Sequence, residues 1–215
     1  MKMLWRVIAA ATGFFALGLQ YYIIAADPDP PDLVIWTINF FSFFTILSNS
    51  LAALAMALPA IAPQSGLGQF FDRPWVRTAI AACIVIVAVI YYLVLRNAWD
   101  PQGLALVADV LLHYVMPTLF VIDWLLFVPK GSVPWSTVWK ALVVPLIYIG
   151  WTLGHGAQTG WYPYPFVNVA ELGLEKVLVN SAGLFGVFMA LTATLTGVNR
   201  LLGLVFGGRE AVAST

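Results

Sequence analysis

The sequence predicts an all-α polytopic membrane protein: a single domain over residues 1–215, with six transmembrane helices and both termini cytoplasmic. Of its 215 residues, 61% are hydrophobic and only 9% are charged, and the mean hydropathy is +0.90. Soluble domains average about 25% charged residues. Six apolar runs each reach the roughly 20 residues that a spanning helix needs. This composition excludes a soluble domain and a disordered chain, and a formal net charge of +0 argues against a nucleic-acid partner.

The six runs are separated by segments rich in turn-forming residues, at 27–31, 63–66, 100–103, 129–132 and 154–172. Proline lacks a backbone N–H and disfavours helix at the preceding residue, so these segments predict helix ends. The last segment combines prolines with aromatic residues that suit the membrane interface. The predicted spans are Leu4–Ala26, Leu33–Ala60, Trp75–Leu95, Gly103–Val128, Trp135–His155 and Gly173–Phe206. No internal repeat is present, which disfavours an inverted-repeat transporter.

Charge predicts the orientation of these spans. With a cytoplasmic N-terminus, only Arg96 and Lys176 of the ten Lys and Arg fall outside, which leaves eight inside. The positive-inside rule therefore favours cytoplasmic termini. A cleaved signal peptide is the alternative for the first span, because Lys2 and Arg6 precede its apolar stretch. That stretch is longer than the apolar region of a typical signal, and the charge bias does not decide the matter.

A polar stripe is predicted on the second span. Asn39, Ser42, Thr45 and Asn49 are spaced by three, three and four residues, which places them on one face of a continuous helix. Polar side chains are unfavourable in hydrocarbon, so the stripe needs a reason. Either it packs against another span, with hydroxyls bonded to backbone carbonyls, or it lines a polar cavity.

The fourth span carries an ionisable pair. Asp109 and His113 are one helical turn apart, and such a pair inside a span is a functional hypothesis by default. The carboxylate would orient the imidazole, or the two groups would form a structural contact. Asp123, beside Trp124 and close to Lys130, is interpreted as an interfacial anchor.

Depth suggests that these polar groups meet. At 1.5 Å per residue, Thr45 and His113 each lie roughly 15–18 Å below the outer boundary, and Asn180 lies roughly 10 Å below it. A hydroxyl and an imidazole at one depth provide the two groups that nucleophilic acyl transfer needs at least, a nucleophile and a general base. Backbone N–H groups inside a continuous helix are already bonded, so Asn49 and Asn180 are the predicted oxyanion donors. Pro117 is expected to kink the helix near His113 and open space there.

Several short landmarks resemble a known family. The segment 43–49 (FFTILSN) looks like the threonine region of the androgen-induced-protein and androgen-dependent TFPI-regulating-protein family of membrane threonine hydrolases, which has a bacterial branch. His113 ahead of Pro117 looks like its histidine. Trp151 and the segment 164–166 look like its later landmarks, and the order and number of spans also agree.

This resemblance implies a six-span intramembrane hydrolase that cleaves fatty-acid esters of hydroxy fatty acids. It implies Thr45 as the nucleophile and His113 as its partner. The expected substrate is a lipid or fatty-acyl ester taken from membrane lipid, and the expected location is a bacterial plasma membrane. The orienting role of Asp109 comes from the residues alone and is not part of the resemblance.

Two alternatives stay open. A haem or metal site would need His113 and His155, the two histidines of the chain, at one depth, but they differ by roughly 15 Å. No ligand-spaced Cys/His cluster or glycine-rich phosphate loop appears, so no metal or cofactor is expected, and the lone Cys83 excludes a disulfide framework.

The second alternative is a small-solute transporter or a non-catalytic structural protein, in which the polar layer would form a solute path. Segments 52–58 and 115–126 are nearly apolar in the inner half of the membrane, which disfavours such a path. Thr192, Thr194 and Thr196 would line it only if their hydroxyls were not bonded back to their own helix.

Overall fold

The computed structural model describes residues 1–26 and 32–213, with side chains up to Val205. Within these residues all regular secondary structure is helical, at 82% helix. The elements are α1 (Lys2–Ala25), α2 (Leu33–Phe41), α3 (Phe44–Ile61), α4 (Gly66–Asp72), α5 (Pro74–Ile90), α6 (Leu104–Val110), α7 (Met116–Phe127), α8 (Thr137–Lys140), α9 (Val143–Thr159), α10 (Val169–Leu172) and α11 (Leu174–Ala213). The predicted break at 27–31 lies outside the described residues.

The prediction of six membrane-spanning helices is confirmed by length and composition. Within the described part of the chain, six helical stretches are long and apolar enough to cross a membrane: Lys2–Ala25, Phe44–Ile61, Pro74–Leu95, Leu104–Phe127, Thr137–Thr159 and Leu174–Val205. Cytoplasmic termini stay a prediction.

The second predicted span is two helices, so the single continuous helix over Leu33–Ala60 is wrong. Helix α2 ends at Phe41, Phe43 has extended backbone (φ −81°, ψ 129°), and α3 begins one residue later. Tertiary contacts hold this break, because the ring of Phe43 packs edge-on against Trp161 and Tyr164, at centroid distances of 5.5 and 5.7 Å. The four polar residues of the predicted stripe are therefore divided between two helices and the break, and they do not share one face.

Small residues bring α1 close to α3. Ala9 and Ala16 of α1 and Ala52 and Ala53 of α3 are fully buried. Between them, a Cβ added to Gly13 would lie 2.7 Å from the methyl of Met116, closer than real contacts allow. Close helix approach over small side chains is the usual packing of membrane helices.

Helix α5 is the central element of the bundle. It packs against α3, α7 and α11, and its residues from Val76 to Ile84 are buried. Cys83 lies in this buried face as a free thiol with no accessible surface.

The interpretation of Asp123 as an interfacial anchor is wrong. Its carboxylate is fully buried, where it accepts hydrogen bonds from Arg6 Nε at 3.0 Å and Arg6 Nη2 at 3.3 Å, and a short one from Arg77 Nη2. Arg6 Nη1 also donates to Asp72 Oδ1 at 2.6 Å. This buried ion network, made of Arg6, Asp72, Arg77 and Asp123, joins α1, α4, α5 and α7 at the end of the bundle where α1 begins. The charges pair with one another because a lone buried charge is far more unfavourable than a paired one.

Two wider π-helical turns interrupt the spans. Tyr91–Leu95 ends the third span, and Leu111–Val115 lies between α6 and α7. The second turn comes directly before Pro117, whose missing N–H prevents a regular bond to the carbonyl of His113. Such turns often occur at functional sites, and this one carries His113.

Candidate functional site

A partly open cavity of about 90 Å³ lies between α3, α5, α9 and α11. Its walls are apolar apart from four hydroxyl groups. The lining residues are Phe44, Thr45, Ile86, Val87, Ile90, Leu95, Pro145, Tyr148, Ile149, Tyr164, Phe166, Val167, Ser181, Leu184, Phe185 and Phe188. Of the residues predicted for the site, only Thr45 lies on this wall.

The break after α2 places Thr45 at the second position of α3. The first N–H that bonds within this helix is that of Leu47, which donates to the carbonyl of Phe43 at 3.0 Å. The N–H groups of Phe44, Thr45 and Ile46 therefore have no partner inside the helix. The expectation that every backbone N–H near Thr45 is already bonded is wrong, because it assumed an unbroken helix. A helix N-terminus is also the positive end of the helix dipole.

Tyr164 covers this helix N-terminus. Its hydroxyl lies 3.3 Å from Thr45 Oγ1 and 3.3 Å from the Thr45 backbone nitrogen. Its ring stacks on Phe166 at 5.2 Å and is buried. Burial raises the pKa of Tyr164 above its usual value of 10.0, and the hydrogen bonds with Thr45 only partly oppose this. The group therefore stays a neutral phenol near neutral pH, and it can donate a hydrogen bond.

Tyr148 of α9 adds another hydroxyl to the same wall. Its ring packs edge-on against Phe44 at 4.9 Å, and its buried hydroxyl makes no hydrogen bond within the described residues. A buried polar group without a partner is unfavourable by about 1–3 kcal/mol, which marks this position as one where a polar ligand atom would be accommodated.

His113 is held by Asp109 and Tyr91. His113 Nδ1 lies 3.1 Å from Asp109 Oδ1 and 3.0 Å from the Asp109 carbonyl oxygen. The hydroxyl of Tyr91 donates to Asp109 Oδ2 at 2.5 Å, and its ring stacks on the imidazole at 3.8 Å. Since Asp109 engages Nδ1, the nitrogen left for chemistry is Nε2.

Helix α3, which carries Thr45, is in contact with the π-helical turn that carries His113, and no hydrogen bond joins the two side chains among the described residues. Asn49 connects their backbones: its Nδ2 donates to the Thr45 carbonyl at 2.8 Å and to the Leu112 carbonyl at 3.2 Å. Asn49 was predicted as an oxyanion donor, but both of these bonds use its amide hydrogens. The structure places it instead as a clamp between α3 and the turn that carries His113.

The other predicted polar residues lie outside the cavity. Asn180 donates to the Phe166 carbonyl at 2.9 Å and lines a separate groove. Ser42 accepts a hydrogen bond from the indole N–H of Trp151 at 2.9 Å. Asn39 keeps a buried Oδ1 without a hydrogen-bond partner among the described residues. These residues stabilise the surroundings of the break and do not converge on Thr45.

Three tyrosines of the site were missed as functional residues. Tyr164 lies in the loop after α9, so the depth argument for spanning helices gave it no position. Tyr91 lies in the π-helical turn that ends the third span, and its partner Asp109 lies on the fourth. The spacing of 18 residues between Tyr91 and Asp109 carries no helical signal. Only the tertiary fold brings them together.

The acidic, histidine and cysteine side chains of the described residues form no cluster of three or more that would hold a metal ion. His155 stacks on Trp151 at 5.5 Å and meets Trp161 edge-on at 5.8 Å, so it belongs to an aromatic cluster near the break.

Comparison of the chain with models of protein families, with curated proteins and with solved structures finds no match. The case for a function therefore has to come from the chemistry of the cavity itself. The distinctive feature of the cavity is a hydroxyl beside backbone N–H groups that have no partner inside their own helix, within an apolar enclosure.

Proposed function

We propose that this protein is an intramembrane lipid-ester hydrolase in which Thr45 is the nucleophile and His113 the general base. One observation carries the proposal: the Thr45 hydroxyl lies on the wall of an apolar cavity, at a helix N-terminus whose first N–H groups have no partner inside α3. A nucleophile next to preorganised donors is the arrangement that acyl transfer requires. The apolar lining suits a fatty-acyl ester, and a bacterial plasma membrane is the proposed location.

In the proposed reaction, Thr45 Oγ1 attacks the ester carbonyl carbon and its proton passes to His113 Nε2. A general base accepts the proton either directly or through one water molecule. The route through water suits Thr45 and His113, because no hydrogen bond joins their side chains. The tetrahedral intermediate then expels the alcohol, which takes the proton from His113. Water hydrolyses the resulting acyl-Thr45 ester by the reverse sequence, releasing the fatty acid and restoring the Thr45 hydroxyl.

The backbone supplies the proposed oxyanion hole. The backbone N–H of Thr45, in the first turn of α3, donates to the Tyr164 hydroxyl at 3.3 Å. An ester oxygen that takes the place of this hydroxyl as acceptor would have its developing negative charge held by the Thr45 N–H, with Tyr164 as a further donor. Such donors act most strongly where water is excluded, as in an apolar cavity. Removing one oxyanion donor typically lowers kcat by about 10²–10³-fold.

Asp109 and Tyr91 are proposed as positioning residues. Asp109 orients His113 and stabilises the imidazolium that forms during the reaction. Tyr91→Phe keeps the ring that stacks on His113 but removes the hydrogen bond to Asp109. A hydrogen bond to a charged group contributes about 1.5–3 kcal/mol, so kcat should fall roughly ten- to a hundredfold while KM stays unchanged. A merely structural role of Tyr91 would instead lower the fraction of folded protein and leave kcat per folded molecule intact.

Solute transport, the alternative, would need a polar path through the whole bundle. The buried ion network and the indole of Trp124 fill the end where α1 begins. The hydroxyls of Thr192 and Thr194 donate to carbonyls of their own helix at 2.8 Å, whereas the buried Thr196 hydroxyl makes no hydrogen bond among the described residues. These contacts favour a cavity closed at one end, which suits a lipid enzyme better than a conduit.

The test is ester hydrolysis by the purified protein in lipid nanodiscs, with a fatty-acid ester of a hydroxy fatty acid as substrate. Thr45→Ala and His113→Ala should each lower kcat by at least about a hundredfold, whereas Thr45→Ser should retain part of the activity. Thr194→Ala is the matched control, because that hydroxyl is exposed and bonds only to its own helix. Undiminished turnover in folded Thr45→Ala would remove Thr45 as the nucleophile. Lack of turnover in the parent with this ester and with p-nitrophenyl esters would refute the hydrolase.

A further inference from the structure

A second concave space adjoins the cavity on the outer surface of the bundle. This groove, between the end of α5 and α11, has a volume of about 380 Å³. It is lined by Ile90, Val94, Phe166, Val179, Asn180, Gly183, Leu184 and Val187. Val94, Val179 and Val187 are 56%, 66% and 50% exposed, so the groove opens on the face that a bilayer would cover.

The groove and the cavity share a wall. Ile90, Phe166 and Leu184 line both spaces. The π-helical turn at the end of α5 contributes to each side, since Val94 lies in the groove and Leu95 in the cavity. These three side chains therefore form a wall that is common to the Thr45 cavity and the groove.

The two volumes indicate that the cavity and the groove hold different parts of a substrate. A water molecule occupies about 10–15 Å³ of such volume, so the cavity holds roughly six to nine water-sized groups. That is enough for an ester carbonyl and the first carbons on either side, but too little for a long acyl chain. The groove is about four times larger, and its walls are apolar apart from Asn180.

Gly183 leaves the floor of the groove open. A Cβ added to Gly183 would meet no heavy atom within 4 Å, so a larger side chain there would project into free space. Gly186, one turn away on α11, is also exposed and also has no atom within 4 Å of an added Cβ, but it lines neither space. The chain thus offers a matched pair of positions on one helix.

We propose that this groove binds the acyl chain of the substrate, which enters laterally from the bilayer and passes between Ile90 and Leu184 to bring its ester carbonyl to Thr45. Gly183 is the specificity-determining residue, because its missing side chain admits a long chain. The inference rests on the proposed function. It adds a substrate class, long-chain acyl esters dissolved in the membrane, and an entry route.

The first test compares Gly183→Leu with Gly186→Leu on p-nitrophenyl palmitate and p-nitrophenyl acetate. In a hydrophobic pocket one methylene is worth about 10–200-fold in kcat/KM. Gly183→Leu should therefore lower kcat/KM for palmitate at least about tenfold and leave acetate unchanged, while Gly186→Leu alters neither. Equal palmitate values for the two variants, in an active parent, would overturn the groove and leave the hydrolase standing.

A second readout does not depend on turnover. A palmitate analogue with a diazirine near its end is photolysed in nanodiscs with the full chain, and the labelled peptides are identified by mass spectrometry. Saturable labelling around Val179 and Val187 that palmitate competes away should persist in Gly186→Leu and disappear in Gly183→Leu. Unsaturable labelling that is identical in all three proteins would refute acyl binding, even if the parent hydrolyses no ester.

Discussion

Asp123→Asn should destabilise the folded protein by about 3–5 kcal/mol. The carboxylate is fully buried and accepts three hydrogen bonds, two from Arg6 and one from Arg77. At about 1.5–3 kcal/mol each, their complete loss would amount to about 4.5–9 kcal/mol. Asparagine keeps one acceptor oxygen, and Arg6 keeps its bond to Asp72, so about two of the three bonds are lost, which amounts to about 3–6 kcal/mol. This agrees with the measured penalty for leaving a buried charge without its partner.

The assay is reversible unfolding in mixed micelles, followed by circular dichroism as the denaturing detergent fraction rises. Asp72→Asn is the matched control, because it makes the same chemical change at a carboxylate that is 42% exposed. Solvent screens this half-exposed carboxylate, so the loss of its pair with the buried Arg6 should destabilise the protein less, by about 1 kcal/mol. If the free energies of unfolding of the two variants lie within about 1 kcal/mol of each other, the buried ion network does not hold the bundle together as the structure indicates.

Two further changes probe the ends of the bundle. Burial raises the pKa of Asp72, but the hydrogen bond and charge of Arg6 outweigh it, so the pKa lies below the usual 3.8. A carboxyl group whose pKa is lower in the folded than in the unfolded protein stabilises the fold at pH values above its unfolded-state pKa. The stability advantage of the parent over Asp72→Asn should therefore shrink as pH falls below about 3.8 in the same unfolding assay. An advantage that grows on acidification would contradict the ion pair. Gly156→Ala would place a Cβ 2.1 Å from the ring of Tyr162, whereas Gly154→Ala on the same helix meets nothing within 4 Å. Overpacking of this kind typically costs about 1–3 kcal/mol, so Gly156→Ala should unfold more easily in this assay; equal stability of both variants would show that the tyrosine moves freely.

The number of spans could be predicted from the sequence, because the length of each apolar run is a local property that can be counted directly. The break at Phe43 could not be predicted, since the sequence around it contains no proline or glycine. Its extended backbone is held by the rings of Trp161 and Tyr164, which come from a distant loop. The spacing of residues within the second span carries no information about contacts with residues more than 100 positions away in the sequence.

The site shows the same division between local and tertiary information. Helical spacing placed Asp109 one turn from His113, where the two groups are in contact. Matching depth predicted that Thr45 and His113 would meet. The elements that carry them are in contact and Asn49 is bonded to the backbone of both regions, while the meeting of the two side chains stays a prediction. Depth gives no direction around the helix axis, however. It could not show that Asn180 faces the groove, nor that the buried Asp123 lies between two arginines.

The buried Cys83 has a practical consequence for labelling chemistry. It is the only cysteine of the chain, and its thiol has no accessible surface in the centre of α5. Maleimides and spin-label reagents need an accessible thiolate. The folded native protein should therefore not react with them. A single cysteine introduced at Val179, Val187 or a loop would then carry the only reactive sulfur. Fluorescence or electron paramagnetic resonance could follow that one position without first removing the native thiol.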